Sequence, residues 1–563
     1  MLPTAMESTA ALVNTIQTLL EQGTHPNTIG VQYASTASKD LLLASFTGAG
    51  IPCYCQYTLP LLHQPLIHQL LQVLQYIRAE QHLPGSGEAL LFEVLHFPWW
   101  GIPANEPAMA CMELFELRIK GSDATLLQYL HSKTKEQPTD LFWQAPAPGM
   151  AKALAALESL VAAAAQTPLP QLAHLVMERY DFDEHLQHHP QKVLQEQLVQ
   201  AFIQHLKSTG TNDLETGMQQ LENIQRTTGL PAAIQSGDPN GIQLLPSPMP
   251  EGRPFAYLFE IANTARTASL PQTVKKPEIP HLDDAYEARA LRSFRMNVSA
   301  LNTYLHCPLA FYYHNVVRIP SPRNEAMAFG SAVHHALEQL LKQAQQAEEL
   351  PDAEVLLSAF MDFMQDNRAL FTPAEWQRRT TYGMTMLEDY YHQRAIHWNL
   401  VAAVERNIRG VEIDEIPLKG KLDKIEFDGK KATIVDYKSG NVERALRQLQ
   451  PPSEALPNGG DYWRQAVFYK LLVDNLTTRD WQVQGVVFDF IEPDAQGQYR
   501  QQSVTISAAD EATVREQIRT VWHKVQRHDF YTGCGKEGCY WCGFVKRNEL
   551  TIKWHQQAEE QAG

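Results

Sequence analysis

The sequence lacks any Gly-x-x-x-x-Gly-Lys-Ser/Thr stretch, the loop whose backbone amides and lysine cradle nucleotide phosphates, so no ATPase activity of its own is expected. It also lacks a long apolar run. The most apolar helical stretch, "MAKALAALESLVAAAA", contains Lys152 and Glu158 and falls short of the ~20 residues that span a bilayer, so no membrane association is expected. The opening "MLPTAMESTAALVNTIQTLL" has no basic segment ahead of its apolar residues and no small-residue cleavage pattern after them, which points to a cytoplasmic protein. Cysteine is scarce, with 7 in 563 residues, an odd number that fits a reducing compartment better than a disulfide framework. Basic charge is in deficit: 47 Lys and Arg stand against 63 Asp and Glu, for a formal net charge of -16. That excludes a general basic coat but leaves room for a local cationic groove on an acidic body. Repeats and low-complexity tracts are absent as well.

What is present is a folding composition, with 44% hydrophobic and 20% charged residues. The length calls for roughly two to four domains. The expected fold class is α/β (α+β) and multidomain, with a helical N-terminal half and a C-terminal domain built on a central mixed sheet flanked by helices. Residues 1–60 hold a strand, helix, strand pattern in "TIGVQYA", "SKDLLLASFTGAG" and "IPCYCQY". Residues 61–235 show helical apolar spacing and read as an all-helical domain. Residues 236–285, with "SGDPNGIQLLPSPMPEGRPF" and "TASLPQTVKKPEIPH", read as a Pro/Gly-rich boundary region. From 286 to 555 helices give way to strands and then to another helix. Ser299 is expected to cap the helix "ALNTYLHC", Gly330 to admit "AFGSAVHHALEQLLKQAQQ" close to the sheet, and Asp428-Gly429 to turn a hairpin.

The stretch "IVDYKSG" ends an apolar strand with an acid and a base. Side chains two apart share a strand face, so Asp436 and Lys438 project together, and the preceding hairpin strand brings Asp423 to about the same end. Two carboxylates beside a lysine suit a hard divalent cation whose shell is completed by substrate phosphate. Taken alone, Asp-x-Lys also reads as an exposed, ion-paired strand end. His334 follows Gly330 by four residues on one helix, and Gln465 and Tyr469 lie four apart on another, each pair on one helical face. Singly, each of these also reads as a packing residue. Lys419, Lys421, Lys424, Lys430 and Lys431 on the hairpin either track a nucleic-acid backbone or form a solvated face.

The ordered set "FGSAVHHALE", "LKGKLDKIEF", "TIVDYKSG" and "YWRQAVFY", preceded by "VSALNTYLHCPLAFYYHNVV", resembles the RecB/AddB-type branch of the PD-(D/E)XK nucleases. The resemblance implies a metal-dependent DNA nuclease acting in DNA repair or recombination. It implies that His334, Asp423 and Asp436 hold Mg²⁺ or Mn²⁺ with the carbonyl of Tyr437, that Lys438 is the catalytic lysine, and that Gln465 and Tyr469 position the lysine and DNA. Lys424 stands where many relatives have Arg. The alternative is a non-catalytic DNA-binding or assembly subunit of a helicase-nuclease complex, and a phosphohydrolase acting on nucleotides or RNA would carry the same groups.

The front segment "IGVQYASTASKDLLLASFTGAGIPCYC" resembles part of the second motor domain of UvrD-like helicases, with the following helices similar to that domain's helical insertion and "NGIQLL" to its returning strand. This implies a helicase-like scaffold without its motor motifs, and a separate helicase or motor subunit as a partner beside DNA. Near the end, "GCGKEGCYWCGF" places Cys534, Cys539 and Cys542 as C-x₄-C-x₂-C, with Cys307 the candidate fourth thiolate. Iron-sulfur members of the AddB-type branch have one cysteine before the catalytic motifs and three after, which implies a [4Fe-4S] cluster. This chain departs from their C-x₂-C-x₅-C tail, since Asn548 stands where the last cysteine falls. Plant-type [2Fe-2S] centres and structural Zn²⁺ share the chain's own spacing, and free, buried cysteines that hold no metal are the remaining reading.

Overall fold

The computed structural model describes residues 4–6, 8–135, 147–180, 182–187, 189, 191–227, 229–247, 255–261, 276–321 and 325–552. Residues 248–254 and 262–275, inside the Pro/Gly-rich region singled out above, lie outside that set. The chain divides into two compact units, residues 1–78 with 152–275 and residues 79–151 with 276–563. The sequence division at 60, 235 and 285 runs along other lines, because spacing along the chain does not reveal which distant strands pair.

In the first unit, strands β1 (Thr4–Met6), β2 (Ile29–Tyr33), β3 (Cys53–Pro60), β4 (Pro231–Gly237), β5 (Ile242–Pro246) and β6 (Tyr257–Ile261) form one sheet in the order β1-β6-β2-β5-β3-β4. The β4 strand begins within the block read as helical from sequence. The pairing is parallel except between β3 and β4. Ile29, Val31, Leu42, Phe46, Cys55 and Leu244 fill a core beside it.

The second unit carries a five-stranded sheet of β7 (Ala402–Ile413), β8 (Ile416–Asp428), β9 (Lys431–Lys438), β10 (Gln482–Phe490) and β11 (Gln501–Val504), ordered β11-β10-β9-β8-β7. The central β9, antiparallel to β8 and parallel to β10, has buried residues on both faces, with Ala432, Ile434, Val435, Asp436 and Tyr437 all buried. The β8–β9 hairpin turns at Gly429-Lys430, one residue later than the Asp428-Gly429 expected, with Gly429 at φ +62° and Asp428 already paired with Lys431.

Helices Glu325–Ala347, Ala353–Asp366 and Pro373–Gln393 pack Phe329, Phe360 and Tyr390 into one core with Val435 and Tyr437 of β9. Helix Asp461–Asp474 packs against β8, β10 and helix Ala508–Gln526. Two other local expectations change. Asn297, not Ser299, caps the helix Val298–His306, accepting from Ala300 N at 2.8 Å. Gly330 lies inside its helix, and a Cβ there would meet only Ser439 Oγ at 3.8 Å, so no close approach demands glycine. Gly383 is the position that does: a Cβ would fall 2.3 Å from Phe360 Cζ. Gly383→Ala must therefore force the Phe360 ring out of place, and we expect a loss of about 1–3 kcal/mol, read as a lower thermal-unfolding midpoint. An unchanged midpoint would contradict this packing.

Candidate active site

The site grows from the C-terminal end of β9. Asp436 is 4% exposed, and a carboxylate that deep needs partners. Lys438 Nζ stands 2.7 Å from its Oδ2, and Gln465 Nε2 donates to Oδ1 at 3.1 Å. Gln465 Oε1 in turn accepts from Lys438 Nζ at 2.9 Å, and its Nε2 also donates to Tyr469 Oη at 2.8 Å. The lysine lies over the Tyr462 ring, 4.4 Å from its centroid. Thus Asp436, Lys438, Gln465 and Tyr469 form one connected group.

Helix Asp461–Asp474 is held in place by Arg464, a residue that the sequence reading did not single out. Its buried guanidinium donates to Gln517 Oε1 (2.9 Å), Asn302 Oδ1 (2.6 Å), Asp461 Oδ1 (3.0 Å) and the carbonyls of Asn458 (2.6 Å) and Gly459 (3.0 Å). Only a planar fork of donors serves so many acceptors at once.

Asp423 meets this group through the backbone: its Oδ2 accepts from Tyr437 N at 2.9 Å, and its Oδ1 stands 3.5 Å from His334 Nδ1. The Tyr437 ring turns away into the helical core. Burial would lower the His334 pKa, but the hydrogen bond and charge of Asp423, with Asp436 and Glu405 beyond, outweigh it and raise the value.

Glu405 is the second residue missed from sequence. One ligand atom each from His334, Glu405 and Asp423 lie within 4.8 Å of one another. Its backbone supplies a signal of its own. Seven described non-glycine residues have positive φ. Arg318, Glu348, His528 and Glu549 follow helix ends, and Asp414 and Glu415 make the β7–β8 turn. Glu405, at φ +49°, alone stands inside a strand, a conformation that costs about 1–3 kcal/mol and gathers at functional sites. Lys421 pairs with its carboxylate.

The donor set fits a hard cation, because the Glu405 and Asp423 carboxylates and the His334 imidazole converge here and, beside them, Asp436 Oδ2 is buried without a well-directed hydrogen bond, the lysine being its ionic partner only. Of the lysines read as a backbone track, Lys424 is excluded by burial. It pairs with Glu426 at 2.7 Å and lies over the Trp398 ring, and desolvation lowers its pKa. Lys430 pairs with Asp480.

A separate cluster joins Cys307, Cys534, Cys539 and Cys542, with ligand atoms within 4.8 Å of one another and all four thiols free. The Cys307–Cys542 and Cys534–Cys542 sulfurs are 3.8 Å apart. Four thiolates on one tetrahedral ion with bonds near 2.3 Å stand about 3.8 Å apart. In a [4Fe-4S] cube each thiolate binds a different iron, and the sulfurs stand farther apart. Burial raises the Cys542 thiol to about 11 and Cys307 higher still, whereas hydrogen bonds from Cys542 N and the neighbouring thiols outweigh burial at Cys539 and lower it. Gly533 leaves the necessary room, since a Cβ there would fall 2.5 Å from Cys542 Sγ.

With this geometry in hand, comparison with known proteins gives the class. Residues 295–547 match the model of the PD-(D/E)XK nuclease superfamily, so this part of the chain is a domain of that superfamily. Among solved structures, a candidate exonuclease from Eubacterium rectale is similar at 14% identity, over 47% of this chain and 92% of that chain, with a TM-score of 0.32. No curated protein matches the chain. Among the described residues no helix is long and apolar enough to cross a membrane.

Burial lifts the Asp436 carboxyl from 3.8 to about 6, with Lys438 opposing and Asp423 adding to the rise. A raised folded pKa contributes stability that is present below the unfolded value and lost as pH climbs through the folded one. In the metal-free protein, Asp436→Asn is therefore expected to be more stable than wild type near pH 8, by an increment of order 1–3 kcal/mol read as a higher unfolding temperature, with the gap closing only as pH falls to about 4. The same gap at both pH values would show that Asp436 is not the titrating group.

Proposed function

We propose that the C-terminal domain is a Mg²⁺- or Mn²⁺-dependent deoxyribonuclease of the RecB/AddB type, hydrolysing phosphodiester bonds in DNA repair or recombination. The single observation that carries this reading is the connected Asp436, Lys438, Gln465 and Tyr469 group beside the His334, Glu405 and Asp423 donors. His334, Asp423, Asp436 and the Tyr437 carbonyl would hold the ion, with Glu405 added to the set. When bound, the ion supplies Lewis-acid polarisation of the phosphate and a water of lowered pKa. Lys438, fixed by Gln465 and the Tyr462 ring, sets a positive charge where negative charge develops on the phosphate oxygens. Gln465 keeps that ammonium aimed, and Tyr469 anchors Gln465. Residues 1–235 are then a helicase-derived scaffold without ATPase activity, and translocation belongs to a separate motor subunit in the cytoplasm.

The test is cleavage of single-stranded, duplex and flap DNA with Mg²⁺ and no nucleotide. Wild type is expected to cut, and Asp436→Asn or Lys438→Ala to lose cutting by a factor of at least ~10² while DNA affinity and the folded signal persist. Wild-type rates from Asp436→Asn would overturn the assignment.

We also propose that the four cysteines hold a structural metal that ties Cys307 to the C-terminal Cys534–Cys542 segment, and the sulfur spacing favours one tetrahedral ion over a cluster. Metal analysis after anaerobic purification is expected to give one zinc per chain. Cys534→Ser should lose it and lower the unfolding temperature without altering the groups around Asp436. Stoichiometric iron and sulfide would instead establish the cluster.

A further inference from the structure

Away from both sites, a cleft of about 550 Å³ is lined by Arg295, Asn297, Asn315, Arg318 and Lys419, among others. Its charges are unbalanced. Arg118, also in the lining, is neutralised by Glu88 at 2.6 Å, and His314, facing Trp541 Nε1 at 3.1 Å, is kept neutral by burial, which lowers its pKa. For Arg295, Arg318 and Lys419 no carboxylate partner occurs among the described residues. Among the described residues Arg295 donates only to the carbonyl of Phe294. Arg318 sits over the Phe115 ring, 4.1 Å from its centroid, and among the described residues hydrogen-bonds only to the carbonyls of Asn315 and Ala290, at 3.3 and 3.4 Å, which leaves donors of its fork uncommitted there. Lys419 has its pKa lowered by desolvation and then by Arg318, Arg409 and Arg295, so these cations repel one another. Opposite Lys419 the β7 strand bulges, its register shifting between Ile408 and Val411, and Arg409 and Gly410 face a single β8 residue. Bulges of this kind re-aim side chains beside functional sites.

Mutual repulsion of three cations around one concave space is relieved by an anion. Lys419 lies on the same strand as Asp423, four residues away, or at most roughly 13 Å along it. That is a span of a few nucleotides. We propose that this cleft is a phosphate-binding site in which Arg295, Arg318 and Lys419 hold a backbone phosphate of the DNA strand a few nucleotides from the phosphate at Asp436. The inference rests on the nuclease reading above and adds to it a second point at which the strand is gripped. It also accounts for how a chain of net charge -16 draws in a polyanion.

The test uses the full chain carrying Asp436→Asn, so that DNA is bound and not cut, with fluorescence anisotropy of labelled oligonucleotides across a salt series. Lys419→Met and Arg295→Met are each expected to weaken binding roughly tenfold and to reduce the slope of log affinity against log salt by roughly one phosphate contact. Lys419→Arg should restore both. In the cutting-competent chain the same changes should raise KM on long substrates, with little effect on kcat, and leave oligonucleotides too short to reach the cleft unaffected. Parental salt slopes in both Met variants would overturn the site even if DNA is cut normally. A wild-type chain that binds DNA with a cleft-dependent slope but never cuts it would instead sink the nuclease reading and leave the cleft standing. No DNA binding by the parent chain would overturn both.

Discussion

A carboxylate enclosed at the end of the central strand is the constraint around which the second unit is arranged. Water would solvate Asp436 freely, and at 4% exposure the protein must do so itself. It does this with Lys438 from the same strand and Gln465 from a helix far along the chain. The helix can serve only if its first turn is fixed, and the five hydrogen bonds of Arg464 fix it. Even so the carboxyl remains shifted upward, to about 6, so the partners do not fully offset its desolvation. The residual cost is what a cation would relieve, which joins local instability to metal affinity at one atom.

The strand that carries Asp436 and Lys438 was legible because its information is local. A buried central strand reads as an apolar run, and the alternation within "IVDYK" puts an acid and a base on one face with no tertiary knowledge. The four-residue spacing of Gln465 and Tyr469 is local in the same sense, and the structure joins them by a hydrogen bond. Glu405 was not legible, since its place depends on pairing with a strand some eighteen residues on and on a backbone angle that glutamate rarely adopts. Lys424 looked like one more surface lysine because sequence alternation does not say which strands are covered on both faces. Strand β4 was hidden for a similar reason: "PAAIQSG" acquires its strand character from Cys53–Pro60, whose register it shares from 170 or so residues away.

Charge follows the same division between composition and placement. A net charge of -16 describes the whole chain, yet the potential felt by a ligand within a Debye length of about 10 Å is set by the few groups nearby. Most lysines of the β8–β9 hairpin are already matched to acids: Lys421 to Glu405, Lys424 to Glu426 and Lys430 to Asp480. Counting lysines along the hairpin therefore overstates its attraction for phosphate. The unmatched cations lie at the other end of β8, where Lys419 faces arginines.

Backbone strain singles out Glu405 independently of its side-chain neighbours. Helix ends and tight turns account for every described non-glycine residue at positive φ except Glu405, because left-handed backbone there satisfies carbonyls or reverses the chain. Inside a strand it does neither, and the ladder between Val404–Lys424 and Arg406–Leu422 is interrupted at that residue. The interruption turns a carboxylate toward His334 and Asp423. Replacing Glu405 with glycine would relieve the backbone and remove the carboxylate together, so a more stable but metal-poor protein is the signature that separates a functional strain from an incidental one.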